Sequence, residues 1–125
     1  MSGRILIVDD SSLARRRARG ILEAAGYQVL EADDGMAALE RYFVEKPDLV
    51  LLDLVMKGMY GVDVLKRLRE LDPAARVIVV SADVQTSSHE LAGAAGALGF
   101  LVKPVDANEV LTLVRSMLGE SSTWN

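Results

Sequence analysis

Five polar residues stand directly behind short apolar runs. Asp9 and Asp10 follow the run 5–8, Asp53 follows 49–52, Ser81 follows 77–80, and Lys103, with Pro104 behind it, follows 100–102. Singly, each has an ordinary explanation. An Asp after a strand is usually a turn or capping residue, a Ser there a turn former, and a Lys a solvated surface group. Jointly they put three carboxylates, a hydroxyl and an ammonium at the ends of four apolar runs. Crowded carboxylates repel one another, and a hard dication relieves the repulsion. Mg²⁺ is such an ion, held by one or two carboxylates with waters and phosphate oxygens. A carboxylate can also attack phosphorus to give an aspartyl phosphate. The transferring group needs its equatorial oxygens neutralised, which Mg²⁺ and Lys103 can supply, while Ser81 can hydrogen-bond one of them.

Positioning these groups requires a frame. The apolar runs are 5–8, 29–30, 49–52, 77–80 and 100–102. Three are continuous and rich in β-branched residues, as in strands buried on both faces. Amphipathic stretches separate them. Ala14, Ala18, Ile21, Leu22 and Ala25 mark one helical face; Met36, Leu39 and Phe43 a second; Val64, Leu65 and Leu68 a third; Val110, Val114, Met117 and Leu118 the last. Asp106 with Glu109, and Ser87 with Glu90, resemble capping boxes, and Gly26 is a plausible helix stop. The fourth helix carries two glycines, Gly93 and Gly96, each costing about 1 kcal/mol against alanine, so it is expected to be short or mobile. Strand and helix alternating five times imply an α/β fold with a parallel sheet and helices on both faces. In such sheets ligands bind outside the carboxyl ends of the strands, where the five polar residues stand.

Composition narrows the function further. The 125 residues fit one domain, and a net charge of −4 argues against a nucleic-acid-binding module. There is no cysteine, which excludes disulfides and thiolate metal sites, and a single histidine, His89, which leaves no His-rich site. A secretory leader needs an apolar stretch of about 7–15 residues and a membrane span about 20. The opening run has four, so a cytoplasmic location, away from the membrane, is expected.

The motifs carry a family resemblance. Ile5-Leu-Ile-Val-Asp-Asp10 resembles the opening of response-regulator receiver domains. Leu51-Leu-Asp-Leu-Val-Met56 resembles the phosphoacceptor strand and Met59-Tyr-Gly61 the turn after it. Val79-Val-Ser-Ala82 and Phe100-Leu-Val-Lys-Pro104 are similar to the hydroxyl-small pair and the Lys-Pro motif. The likeness spans residues 4–118 and implies a flavodoxin-like (βα)5 three-layer sandwich with strand order 2-1-3-4-5. It makes 1–118 the receiver domain and 119–125, with Trp124, a flexible tail. It implies that Asp53 accepts the phosphoryl group, that Asp10 binds Mg²⁺ directly and Asp9 mainly through water, and that the Val55 carbonyl is a further ligand. Ser81 and Lys103 are implied to contact the phosphoryl group. Ser81 and Phe100 are implied to form the switch, and the bond before Pro104 to be cis. The implied function is two-component signalling: a sensor histidine kinase or phosphotransfer protein donates, a phosphatase can act, and a separate downstream protein receives the signal. The implied protein is a phosphoacceptor switch rather than an enzyme, with self-catalysed phosphorylation from small donors and autodephosphorylation.

The chain departs from the family pattern at Lys57, where receivers usually carry proline, and it has Val55 and Asp83 at the two positions on which phosphoryl lifetime depends. Two other functions compete. A degenerate receiver acting as a constitutive interaction module is opposed by the complete set Asp9, Asp10, Asp53, Ser81 and Lys103. A small aspartyl-nucleophile phosphatase is opposed by adjacent Asp9-Asp10, where such hydrolases have Asp-x-Asp. The run Arg15, Arg16, Arg17 and Arg19 reads as a solvated face, with docking to an acidic partner as the functional alternative. His89 reads as exposed on the fourth helix, and Met56 and Met59 as loop packing.

Overall fold

The structure, a computed structural model, describes residues 3–56, 60–82 and 86–119. Lys57, Met59, Asp83, the side chain of Ser87 and Trp124 lie outside the described residues. Five strands and five helices alternate: β1 (Arg4–Val8), α1 (Ser12–Ala24), β2 (Gln28–Ala32), α2 (Gly35–Glu45), β3 (Leu49–Asp53), α3 (Gly61–Leu71), β4 (Val77–Ser81), α4 (Thr86–Ala94), β5 (Gly99–Val102) and α5 (Ala107–Met117). All strand pairs are parallel, in the order β2-β1-β3-β4-β5. This is the topology expected.

Strands β3 and β4 are buried at every residue, which is why their sequences are continuously apolar rather than alternating. Odd and even positions feed two cores. Leu6, Val8, Val77 and Val79 face α2, α3 and α4, whereas Ile5, Ile7, Ile78 and Val80 face α1 and α5. Ser11, Asp34 and Asp106 cap α1, α2 and α5 by accepting from Ala14, Ala37 and Glu109 N–H groups. Gly26 ends α1 with a φ of 95°, a region that costs glycine nothing. Helix α4 is short, nine residues, as expected, with Gly93 inside it and Gly96, at a φ of 104°, beyond its end rather than within it.

The second helix differs from the expected face. Met36 and Phe43 are exposed, while Gly35, Ala38 and Tyr42 are buried and Leu39 is half-buried. Apolar residues cover more than one face of α2, so spacing alone does not set its rotation. Small Gly35 and Ala38 allow close approach to the sheet, and the Tyr42 hydroxyl donates to Asp72 Oδ2 at 2.7 Å, tying α2 to the end of α3.

The arginine run differs as well. Arg15 donates to Glu31 Oε1 (2.8 Å) and to the Asp9 carbonyl (2.7 Å). Arg17 donates to the Val105 carbonyl through Nε (3.2 Å) and Nη2 (2.8 Å). Arg19 pairs with Glu23 and Glu31. Arg17 remains exposed, as on a solvated face, but all three guanidinium groups also hold the fold together, spanning from α1 to β2 and to the segment after β5, which helix periodicity alone does not reveal.

The Tyr42–Asp72 bond should show in stability. Burial, then the Asp72 carboxylate, hold the Tyr42 phenol well above its ordinary pKa, while the phenol lowers that of Asp72. Tyr42→Phe should cost about 1 kcal/mol at neutral pH by urea unfolding. Because the folded pKa of Tyr42 is raised, its contribution is intact below about pH 10, the unfolded value, and is lost as pH rises beyond it. The parent should therefore lose stability above pH 10 more steeply than Tyr42→Phe.

Candidate functional site

Three strand ends meet at one point. β1 ends at Val8, so Asp9 and Asp10 emerge at its carboxyl edge; Asp53 is the last residue of β3 and Ser81 the last of β4. Carboxylate oxygens of Asp9, Asp10 and Asp53 all lie within 4.8 Å of one another. Asp9 and Asp53 are each only 5% exposed, whereas Asp10 is open to solvent. Lys103, from the edge of β5, reaches across β4: its Nζ is 2.7 Å from Asp9 Oδ2 and 3.2 Å from Asp53 Oδ2. The Lys103-Pro104 bond is cis, as the resemblance implied. Backbone N–H groups complete the shell, Ser11 donating to Asp9 Oδ1 at 2.9 Å and Val55 to Asp53 Oδ1 at 3.2 Å. Arg15 fixes the Asp9 carbonyl on one side, and Arg17 fixes Val105, two residues past Lys103, on the other.

Burial pushes the Asp53 carboxyl above its ordinary pKa; the charge of Asp9 adds to this, against the Val55 N–H and Lys103, which pull it down. Burial of Lys103 opposes its charge, but the hydrogen bond to Asp9 and the charges of Asp53 and Asp9 prevail, holding its pKa above the usual lysine value. Among the described residues the cluster therefore gathers more negative charge than the one ammonium of Lys103 balances. Its donors are all oxygens, and Asp10 lies at the solvent side, so the residues fit a hard dication such as Mg²⁺. A cavity of about 620 Å³ adjoins the cluster, its walls including Leu13, Ala14, Arg17, Pro104 and Val105 besides Asp9, Asp53 and Lys103.

Ser81 is fully buried and Phe100 half-buried. Ser81 pairs with Val102 and Val79 with Phe100, so the two sit diagonally on one face of adjacent strands. The structure thus brings Asp9, Asp10, Asp53 and Lys103 into one cluster, with Ser81 ending the neighbouring strand and Phe100 behind it. Val55 has an exposed side chain, and its backbone lies beside the Asp53 carboxylate. Met56 is buried in the core, as loop packing requires.

The comparisons with known proteins agree with this arrangement. The model of the response regulator receiver domain matches residues 5–115. The chain belongs to the response-regulator receiver family. It is 41% identical over 119 residues to the chemotaxis protein CheY of Bacillus subtilis, covering 94% of this chain and 99% of that one. It is 38% identical over 122 residues to sporulation initiation phosphotransferase F of the same organism, covering 94% and 95%. Among solved structures, a CheY-like receiver from Methanospirillum hungatei superposes with a TM-score of 0.90 at 29% identity, covering 96% of both chains. CheY in the CheX-CheY-BeF3-Mg²⁺ complex of Borrelia burgdorferi gives 0.86 at 34% identity, over 90% of this chain and 87% of that one. Receivers are phosphoacceptor switches of two-component signalling and bind Mg²⁺ in an acidic pocket, and this receiver has the matching cluster. Among the described residues no helix is long and apolar enough to cross a membrane.

Two features of this receiver escaped sequence reasoning. The arginine clamps on the Asp9 and Val105 carbonyls are one. The other is Gly61, the first residue of α3: a Cβ there would lie within 2.5 Å of Leu54 Cα and would also strike the Asp53 carbonyl. The glycine lets α3 start directly against the strand end that presents Asp53. Its signal was its position in Met59-Tyr-Gly61, right after the Asp53 loop. Gly61→Ala should therefore cost about 1–3 kcal/mol and shift NMR signals of Asp53 and its neighbours. Gly20, in α1 with nothing near it, is the control: Gly20→Ala should stabilise by about 0.5–1 kcal/mol in the same urea measurement.

Proposed function

We propose that this receiver takes a phosphoryl group from a sensor histidine kinase or phosphotransfer protein onto Asp53, with Mg²⁺ held at Asp9, Asp10, Asp53 and the Val55 carbonyl, and that the modification alters binding to a separate protein. Residues 1–118 are the unit that does so, acting in the cytoplasm. The observation that carries this reading is the convergence of three carboxylates, two of them buried, and Lys103 in one cluster.

The chemistry follows from the residues. An Asp53 oxygen attacks phosphorus as the bond to the donor nitrogen breaks, and the electron pair leaves with that nitrogen. When bound, Mg²⁺ neutralises charge on the phosphoryl oxygens. Lys103, already beside Asp53 Oδ2, supplies the second positive charge. Ser81 hydrogen-bonds a phosphoryl oxygen and moves to do so, opening space into which Phe100 turns. The receiver is a switch and not a turnover enzyme, and it catalyses its own phosphorylation by small donors and its own dephosphorylation. A phosphatase can add to that loss. The relatives named for chemotaxis and sporulation phosphotransfer, and the complex of CheY with CheX, support a protein rather than a nucleic acid as the downstream partner.

Acetyl phosphate or phosphoramidate with Mg²⁺ should add one labile phosphoryl group to the parent by intact mass, and Asp53→Asn should abolish it. Full labelling of Asp53→Asn overturns the assignment. Mg²⁺ titration followed by NMR should show weaker binding in Asp10→Ala than in Asp9→Ala, with both weaker than the parent; equal binding in all three counts against the ligand set.

A further inference from the structure

Phe100 lies on the edge strand β5, and a second ring lies against it. His89 of α4 stacks on Phe100 with centroids 3.5 Å apart and planes 22° from parallel. His89 is exposed, so the stack is not a by-product of core packing. Among the described side chains of α4 the rest grip little: Ala92 is buried but small, Leu91 is 57% exposed, and Gly93 has nothing within 4 Å of a notional Cβ. The imidazole is thus the large planar contact between α4 and the Phe100 ring.

We infer that His89 is a positioning residue of the switch, its stacked ring holding Phe100 at the α4–β5 surface and stabilising the unphosphorylated arrangement. The inference rests on the Ser81–Phe100 reading given above. Phe100 cannot turn toward the space beside Ser81 and keep its ring on His89. The stack is therefore present in one state and absent in the other, and a contact with that differential shifts a two-state equilibrium. An aromatic pair of this kind corresponds to a factor of about two to ten in that equilibrium. The requirement is a planar ring at position 89, so the ring and not the imidazole nitrogens sets the effect.

Beryllofluoride with Mg²⁺, a mimic of the phosphoryl group, provides the titration, with Phe100 ring signals read by NMR in the parent, His89→Ala, His89→Leu and His89→Phe. His89→Ala and His89→Leu should reach the half-maximal Phe100 shift at about two- to tenfold less beryllofluoride than the parent. His89→Phe should titrate with the parent, a rescue that mere loss of helix packing would not produce. His89→Ala titrating with the parent or later, or His89→Phe behaving like His89→Ala, overturns the inference while leaving the switch intact. A parent whose Phe100 signals do not respond at all, with beryllofluoride bound, overturns the switch reading and this inference with it.

Discussion

Crowded negative charge at the carboxyl edge of the sheet governs this molecule. Among the described residues three carboxylates come within 4.8 Å, two of them buried, against the single ammonium of Lys103. Lys103 cannot neutralise all three, and repulsion between Asp9 and Asp53 adds to the effect of burial in raising the Asp53 pKa. Such a cluster is tolerable only on a frame that cannot relax away from it. Strands β3 and β4, buried at every residue, and Gly61, which seats α3 against the end of β3, supply that rigidity. The arginines of α1 supply it from outside by fixing the Asp9 and Val105 carbonyls, so that both flanks of the cluster are anchored through the backbone.

The same charge imbalance is what makes the site responsive. In the function proposed, a group arriving on Asp53 with its own negative oxygens redistributes the contacts of Lys103 and Ser81, and the response spreads where the structure is soft. β1 and β3 are central strands, whereas β5 is an edge strand of four residues, with Val102 exposed and Phe100 half-buried. α4 is the shortest helix described, and the buried residue among its described side chains, Ala92, is small. Rigidity therefore resides in the centre of the sheet and adaptability at the β5 side, a division that places the switch elements beside one another.

Relatedness at 41% identity over nearly the whole length of CheY fixes the family, and two local features of this receiver stand beside the shared fold. His89 against Phe100 is one, and Tyr60, the residue before α3, which gives that helix no side-chain cap, is another. Neither alters the topology, because the sheet is determined by the buried strands, and both lie at surfaces where the receiver meets its surroundings.

Much of this was determined by the sequence alone. Continuous β-branched runs dictated strands buried on both faces, and the polar residues behind them dictated which edge is chemical, because a parallel sheet brings all its carboxyl ends to one side. Asp9, Asp10, Asp53, Ser81 and Lys103 were legible for that reason, and Phe100 through the family resemblance. The face of α2 was not: its apolar residues cover more than one side, and the choice of Ala38 and Tyr42 over Met36 and Phe43 was made by close packing and by the reach of a phenol to Asp72, just past the end of α3. The role of the arginines was likewise decided only in three dimensions, since Arg15 meets Glu31 and Arg17 meets Val105 across 16 and 88 positions of chain. Local periodicity reports which residues avoid water; it carries no information on which distant partner a long polar side chain will find, and that is settled by the tertiary structure.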